Sequence, residues 1–199
     1  MRLFTTLLAF MLSACPAPST TESSVTDTVK PSPITWEDCS ANLNDHACDF
    51  TFKDQSDNNW SLYDHYGSII VLDFSVMWCG PCQAAASQIS SHMSAYGGKD
   101  VIWVTVLLQD SAGDSVDLGD VQRWASLFGV PTNSPVLQGD SSVVDVSGQN
   151  GYPVTSYPTI LVIDREMKIY RGVHGWSQEL VEGWVEELLS IDADTGGDI

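Results

Sequence analysis

The stretch Ile69-Ile70-Val71-Leu72-Asp73-Phe74-Ser75-Val76-Met77-Trp78-Cys79-Gly80-Pro81-Cys82 joins an apolar run directly to a pair of cysteines. A continuous run such as Ile69-Ile70-Val71-Leu72 suits a central strand covered on both faces, and residues 68–76 are predicted as one. From Gly80 onward, Ala84, Ala85, Ala86, Ile89 and Met93 predict a helix that Gly97-Gly98 stops. The two cysteines therefore fall at a strand-to-helix junction. The first N–H groups of a helix are unpaired there and carry partial positive charge. A thiolate at Cys79 is favoured in that position, and its pKa is expected to fall from about 8.5 toward about 7 or below. Cys82, one turn further in, is expected to be buried and suited to resolve a mixed disulfide formed at Cys79. Pro81 fits a first turn, where its missing N–H is not needed.

Outward from this junction the pattern alternates. Residues 50–53 read as a short strand followed by a turn at Asp57-Asn58-Asn59, and 101–108 as a second buried strand. Asp120 is placed as the N-cap of a helix whose apolar positions are Val121, Trp124, Ala125 and Phe128, with Gly129 as its stop. Residues 159–164 and 168–172 read as two strands about a tight turn at Arg165-Glu166. Ser177 caps a last helix with Val181, Trp184, Val185 and Leu188 inward. This alternation implies an α/β fold with a central mixed β-sheet flanked by helices.

The chain has 199 residues and is 43% apolar, enough for one core despite a formal charge of −18. That acidity argues against a nucleic-acid partner, since too few cations exist to neutralise a run of phosphates. No apolar run reaches the roughly 18 residues of a membrane-spanning helix. Residues 1–14, with Arg2 and then the apolar stretch from Leu3 to Leu12, read as a signal peptide removed on maturation. Leu12-Ser13-Ala14-Cys15 resembles the lipobox of bacterial lipoproteins, which implies lipidation at Cys15 and a membrane anchor on the periplasmic side or at the cell surface. An ordinary secretory signal with a chance cysteine is the other reading. Residues 16–35, with Pro16, Pro18, Pro31 and Pro33, read as a Pro/Ser/Thr tether. The folded domain is expected over 36–191, followed by an acidic tail over 192–199.

A bare C-x-x-C is also half of a zinc site or a plain structural disulfide. A closed zinc site needs four ligands, and His46, His65, His92 and His174 are scattered along the chain. The acidic loop from Gln109 to Asp120 lacks the calcium-loop pattern and reads as a solvated loop. No metal and no cofactor is expected.

Val71-Leu72-Asp73-Phe74 followed by Trp78-Cys79-Gly80-Pro81-Cys82 resembles the active-site strand and helix of the thioredoxin superfamily. Ser156-Tyr157-Pro158-Thr159-Ile160, ahead of a strand, resembles its cis-proline loop. Asp49-Phe50-Thr51 with Trp60-Ser61-Leu62 is similar to the N-terminal hairpin of membrane-anchored TlpA/ResA-type oxidoreductases, and the segment from Asp117 to Val154 is an insertion relative to a minimal thioredoxin. The resemblance covers roughly 49–190. It implies an extracytoplasmic thiol–disulfide oxidoreductase that exchanges with protein thiols or disulfides and with an upstream redox donor or acceptor. Cys79 would be the nucleophile, Cys82 the resolving thiol, and Asp73, six residues before Cys79, a buried acid/base. Many members of that branch carry another residue at this position. Trp78, Gly80, Pro81, Tyr157 and Pro158 would meet the substrate, with Pro158 cis. With Cys15 lipidated and 79–82 paired, Cys39 and Cys48 remain. A structural bridge, a second redox pair and free thiols are all open for them. Two other functions also remain open: a thioredoxin-fold peroxidase, and a surface binding module that keeps the fold as a scaffold.

Overall fold

The computed structural model describes residues 34–195, with side chains to 191. The expected signal, Cys15 and nearly all of the tether lie outside the described residues. In chain order the elements are β1 (Thr51–Lys53), β2 (Asn59–Ser61), a 3-10 turn (Leu62–His65), β3 (Ile69–Ser75), α1 (Gly80–Ala86), α2 (Ile89–Ala95), β4 (Val101–Leu107), α3 (Leu118–Phe128), β5 (Val136–Gln138), β6 (Thr159–Ile163), β7 (Ile169–His174) and α4 (Gln178–Thr195). A further 3-10 turn spans Ser141–Val143.

β3 is buried at every position and lies in the middle of a five-stranded sheet of order β5-β4-β3-β6-β7. β4 pairs parallel with both β3 and β5, whereas β6 runs antiparallel to β3 and β7. β1 and β2 form a separate hairpin in which Phe52 opposes Trp60. Side chains alternate across a strand, so Val71 and Asp73 share a face with Trp103 and Thr105, their register partners on β4. α2 and α4 cover this face: His92 of α2 stacks on Trp103 and bonds to Glu182 of α4. Phe74 points the other way and packs on Tyr152, which in turn meets Phe50.

The N-terminal segment touches both outer strands. Asp54 makes an isolated bridge to Leu137 of β5, and His46 makes one to Lys168 at the start of β7.

Four local features differ from expectation. The helix after Cys79 is two helices, because Ser87 Oγ donates to the Ala84 carbonyl and Gln88 N–H reaches only to Ala85. A serine bonded back into the preceding turn bends a helix. α3 starts at Leu118 rather than after Asp120, since Asp117 and Asp120 form a reciprocal capping box. β5, within the inserted segment, has only three residues and follows Pro135, so it has no legible period. The backbone of α4 continues to Thr195, into the expected tail.

Candidate active site

The two parallel strands β3 and β4 end side by side. Leu108 N–H donates to the Ser75 carbonyl, and Met77 N–H to the Gln109 carbonyl, both at 2.9 Å. Ligand sites in α/β folds form beyond the carboxyl ends of such strands. The chain leaving β3 passes Trp78 and reaches Cys79, whose extended backbone makes it the N-cap of α1. Its Sγ accepts the Cys82 N–H at 3.1 Å, so the sulfur sits on the unpaired donors at the start of that helix. Gln83 Nε2 donates to the Met77 carbonyl at 2.8 Å and ties the first helical turn to the strand end. Gly80 and Pro81 occupy the first turn.

Cys79 and Cys82 are joined in a disulfide, with their Cα atoms 5.2 Å apart. Cys79 keeps 5% of its surface and Cys82 none. A thiolate from outside therefore has only the Cys79 sulfur to attack, and Cys82 is the leaving group. Trp78 stands beside the bond at 52% exposure. Its indole N–H donates to Gln109 Oε1 at 3.1 Å, and its ring meets Tyr157 edge-on at 5.9 Å.

That ring contact brings the cysteine motif to the loop before β6. The Tyr157–Pro158 peptide is cis. Pro158 is buried and its carbonyl accepts the Gly175 N–H at 2.7 Å, while Thr159 Oγ1 donates to the Ser156 carbonyl. Among the described residues, neither the N–H nor the C=O of Tyr157 pairs with another backbone group.

Asp73 is fully buried on β3, opposite Thr105 and Ile160. Ser75 Oγ donates to its Oδ1 at 2.7 Å, and Oδ2 has no partner among the described residues. Burial pushes its carboxyl up to about 7. Ser75 opposes that rise, as do Trp103 and Thr105, which face it without closing a hydrogen bond on Oδ2. A carboxyl held near neutrality takes and returns a proton readily.

Cys39 and Cys48 form the second disulfide, Cα atoms 4.9 Å apart. Its loop bonds to the β6–β7 turn through Ala47 N–H to Met167 O and Asn44 N–H to Ile169 O. Ala41 and Leu43 of the same loop also line a groove with Thr159, Leu161 and His174, so the loop follows β6 toward the end that Pro158 opens.

The sequence reading missed Gln109 and Ser75. Gln109 follows directly on a predicted parallel strand, where the carboxyl-end rule points. Ser75 stands two residues after Asp73 and so on its face of the strand.

A mixed sheet with a disulfide at the helix start after its central strand, and a cis-proline opening the next antiparallel strand, is a thioredoxin-like fold. The AhpC/TSA family model matches residues 43–171, and the chain belongs to that family. It is similar to the thioredoxin-like protein YneN of Bacillus subtilis, 26% identical over 147 residues that make up 73% of this chain and 78% of that one. Among solved structures, a Chlorobium tepidum protein assigned as the thiol:disulfide interchange protein DsbE is 27% identical. It superposes with a TM-score of 0.59 over 74% of this chain and 98% of its own. The exposed lipoprotein thioredoxin Etrx1 of Streptococcus pneumoniae is 26% identical, with a TM-score of 0.53 over 70% of this chain and 99% of its own.

Proposed function

We propose that this chain is an extracytoplasmic thiol–disulfide oxidoreductase, held to a membrane by a lipid on Cys15, that exchanges its Cys79–Cys82 pair with protein thiols or disulfides. The observation that carries the reading is the meeting of Trp78 with Tyr157, which sets the more exposed sulfur of the Cys79–Cys82 pair beside a loop whose Tyr157 N–H and C=O pair with no backbone group among the described residues. An extended client segment would pair with Tyr157 and present its own sulfur to Cys79.

In the reducing direction, the Cys79 thiolate attacks a client disulfide and the first client sulfur leaves with its electron pair. Cys82 then passes its proton to Asp73, attacks Cys79 and releases the second client thiolate. The enzyme disulfide forms as the client's is lost. The oxidising direction is the reverse, and the potential of the couple decides which one runs. Pairs near roughly −270 mV act as reductants and pairs near roughly −120 mV as oxidants.

Support for the location comes from the similar Streptococcus pneumoniae protein, described as an exposed lipoprotein. Cys39–Cys48 serves as a structural bridge in this reading, consistent with an oxidising compartment.

The test is a Cys82→Ser variant incubated with an oxidised protein substrate. A mixed disulfide trapped at Cys79 and mapped by mass spectrometry is expected. Failure of Cys79 to form any adduct would sink the reading. Hydrogen peroxide separates the peroxidase alternative: rapid saturating oxidation of Cys79 in stopped flow would favour that chemistry instead.

A further inference from the structure

His92 is a buried titratable group that the exchange chemistry above leaves unused. It lies on α2 at 3% exposure, and its Nδ1 is 2.9 Å from Glu182 Oε1 on α4. Its Nε2 is buried without a partner among the described residues. The imidazole stacks on the indole of Trp103, 11° from parallel with centroids 5.4 Å apart. Trp176 closes the cluster edge-on to both rings. Trp103 and Thr105 are the groups on β4 that face Asp73.

Asp73 Oδ2, Thr105 Oγ1, Trp103 Nε1 and His92 Nε2 are all buried, and none has a hydrogen-bond partner among the described residues. They lie along one side of the sheet, under α2 and α4. Buried polar atoms are seldom left unpaired, and a group of them is the setting in which an internal water makes its two to four bonds. Their chemistry is also complementary. Burial raises the Asp73 pKa to about 7, so that near neutral pH the carboxyl both takes up and releases a proton, and burial lowers the His92 pKa more than Glu182 raises it. Neutral His92 donates from Nδ1 to the Glu182 carboxylate and offers a lone pair at Nε2. Glu182 itself is 35% exposed and reaches solvent.

We infer that His92 and Glu182 form the outer end of a proton path that serves Asp73. The inference rests on the acid/base role proposed for Asp73. Each resolution step leaves one proton on Asp73, beneath a closed disulfide. That proton passes through the Thr105 hydroxyl and internal water to His92 Nε2. His92 releases its Nδ1 proton to Glu182, which passes it to solvent. No electrons move; Asp73 and Glu182 end as they began, and His92 ends as its Nε2–H tautomer, which a ring flip returns to the starting form. Trp103, a donor only, orients the path and carries no proton. Glu182 is the charged group facing His92, while Glu186, one turn on, acts on Tyr96 of α2.

The experiment uses Asp73→Asn, His92→Phe and Glu182→Gln, each measured in two single-turnover steps against an oxidised protein substrate. General acid–base assistance is worth about 10²–10⁴-fold. Losing a station once removed is expected to slow resolution by about tenfold, to move its pH profile, and to raise its solvent deuterium isotope effect. Mixed-disulfide formation at Cys79 is expected to be unchanged in His92→Phe and Glu182→Gln. Glu182→Gln, at a partly exposed site, carries the test if His92→Phe does not fold. Slow resolution in Asp73→Asn alone would overturn the path and leave the role of Asp73 standing. Normal resolution in all three would overturn both. Slowing without a change in pH profile or isotope effect would mean lost packing and also overturn the path.

Discussion

The two disulfides differ in everything but the bond. Cys79–Cys82 closes over a helix start, with its outer sulfur on the Cys82 N–H and a buried carboxyl on the strand that leads into it. Cys39–Cys48 closes a surface loop already held by other ties: Ser40 N–H to His46 O, Ser40 Oγ to Asp45 Oδ2 at 2.7 Å, and the Tyr152 hydroxyl to the Cys48 carbonyl at 2.6 Å. Trp36, just ahead of the loop, stacks on His46 within it at 3.7 Å. In the proposed reading one bond sits where opening it does chemistry, and the other where keeping it shut removes chain entropy.

Cys79→Ser gives the sharpest contrast. Exchange with a protein disulfide is expected to fall to background, measured as turbidity or as labelled client thiols. The double replacement Cys39→Ala/Cys48→Ala should leave that rate within about a factor of two, since hydrogen bonds from Ser40 and Tyr152 still hold the loop. Equal losses in both would erase the contrast.

Asp73→Asn is expected to raise stability at pH 8 while slowing exchange. The acid titrates near 3.8 when unfolded and about 7 when folded. The unfolded chain therefore releases this proton first, and native stability falls as pH rises from about 4 to about 7. Asn removes that loss, which amounts to several kcal/mol. Denaturant midpoints at pH 4 and pH 8 measure it, and an unchanged difference between parent and variant would refute the buried carboxyl.

The same Cys39→Ala/Cys48→Ala chain should lose about 2–3 kcal/mol, the entropy of a ten-residue loop, read from urea unfolding. A much smaller loss would mean that the hydrogen bonds of the loop already do the work. Gln109→Ala is the mildest change. Freeing the Trp78 indole from a single hydrogen bond should slow mixed-disulfide formation about threefold, with the melting temperature held.

Much of this was legible because it depends on short-range chemistry. The apolar run at 69–72, the cysteines at its end and Tyr157-Pro158 before the next apolar run each carry their meaning in a few residues. Asp73 was readable as buried because the positions around it are apolar. The break at Ser87-Gln88 was not, since serine's hydroxyl can point to solvent or back into the helix with the same spacing. Asp117 and Asp120 are chemically identical, so sequence could not say which one caps α3. His92 sits at a helical position that reads as apolar filling, and its partner Glu182 is ninety residues away on a different helix.

The bridges from Asp54 to Leu137 and from His46 to Lys168 have a consequence for the company this protein keeps. An open sheet has two outer strands whose free backbone groups invite a neighbouring molecule to add itself, and exposed edges of that kind seed aggregates. Here one stretch of chain, ahead of the sheet in sequence, blunts both rims at once. A version beginning at Leu62 would keep the cysteines of the site and lose both guards. It is expected to precipitate on standing, despite its acidity.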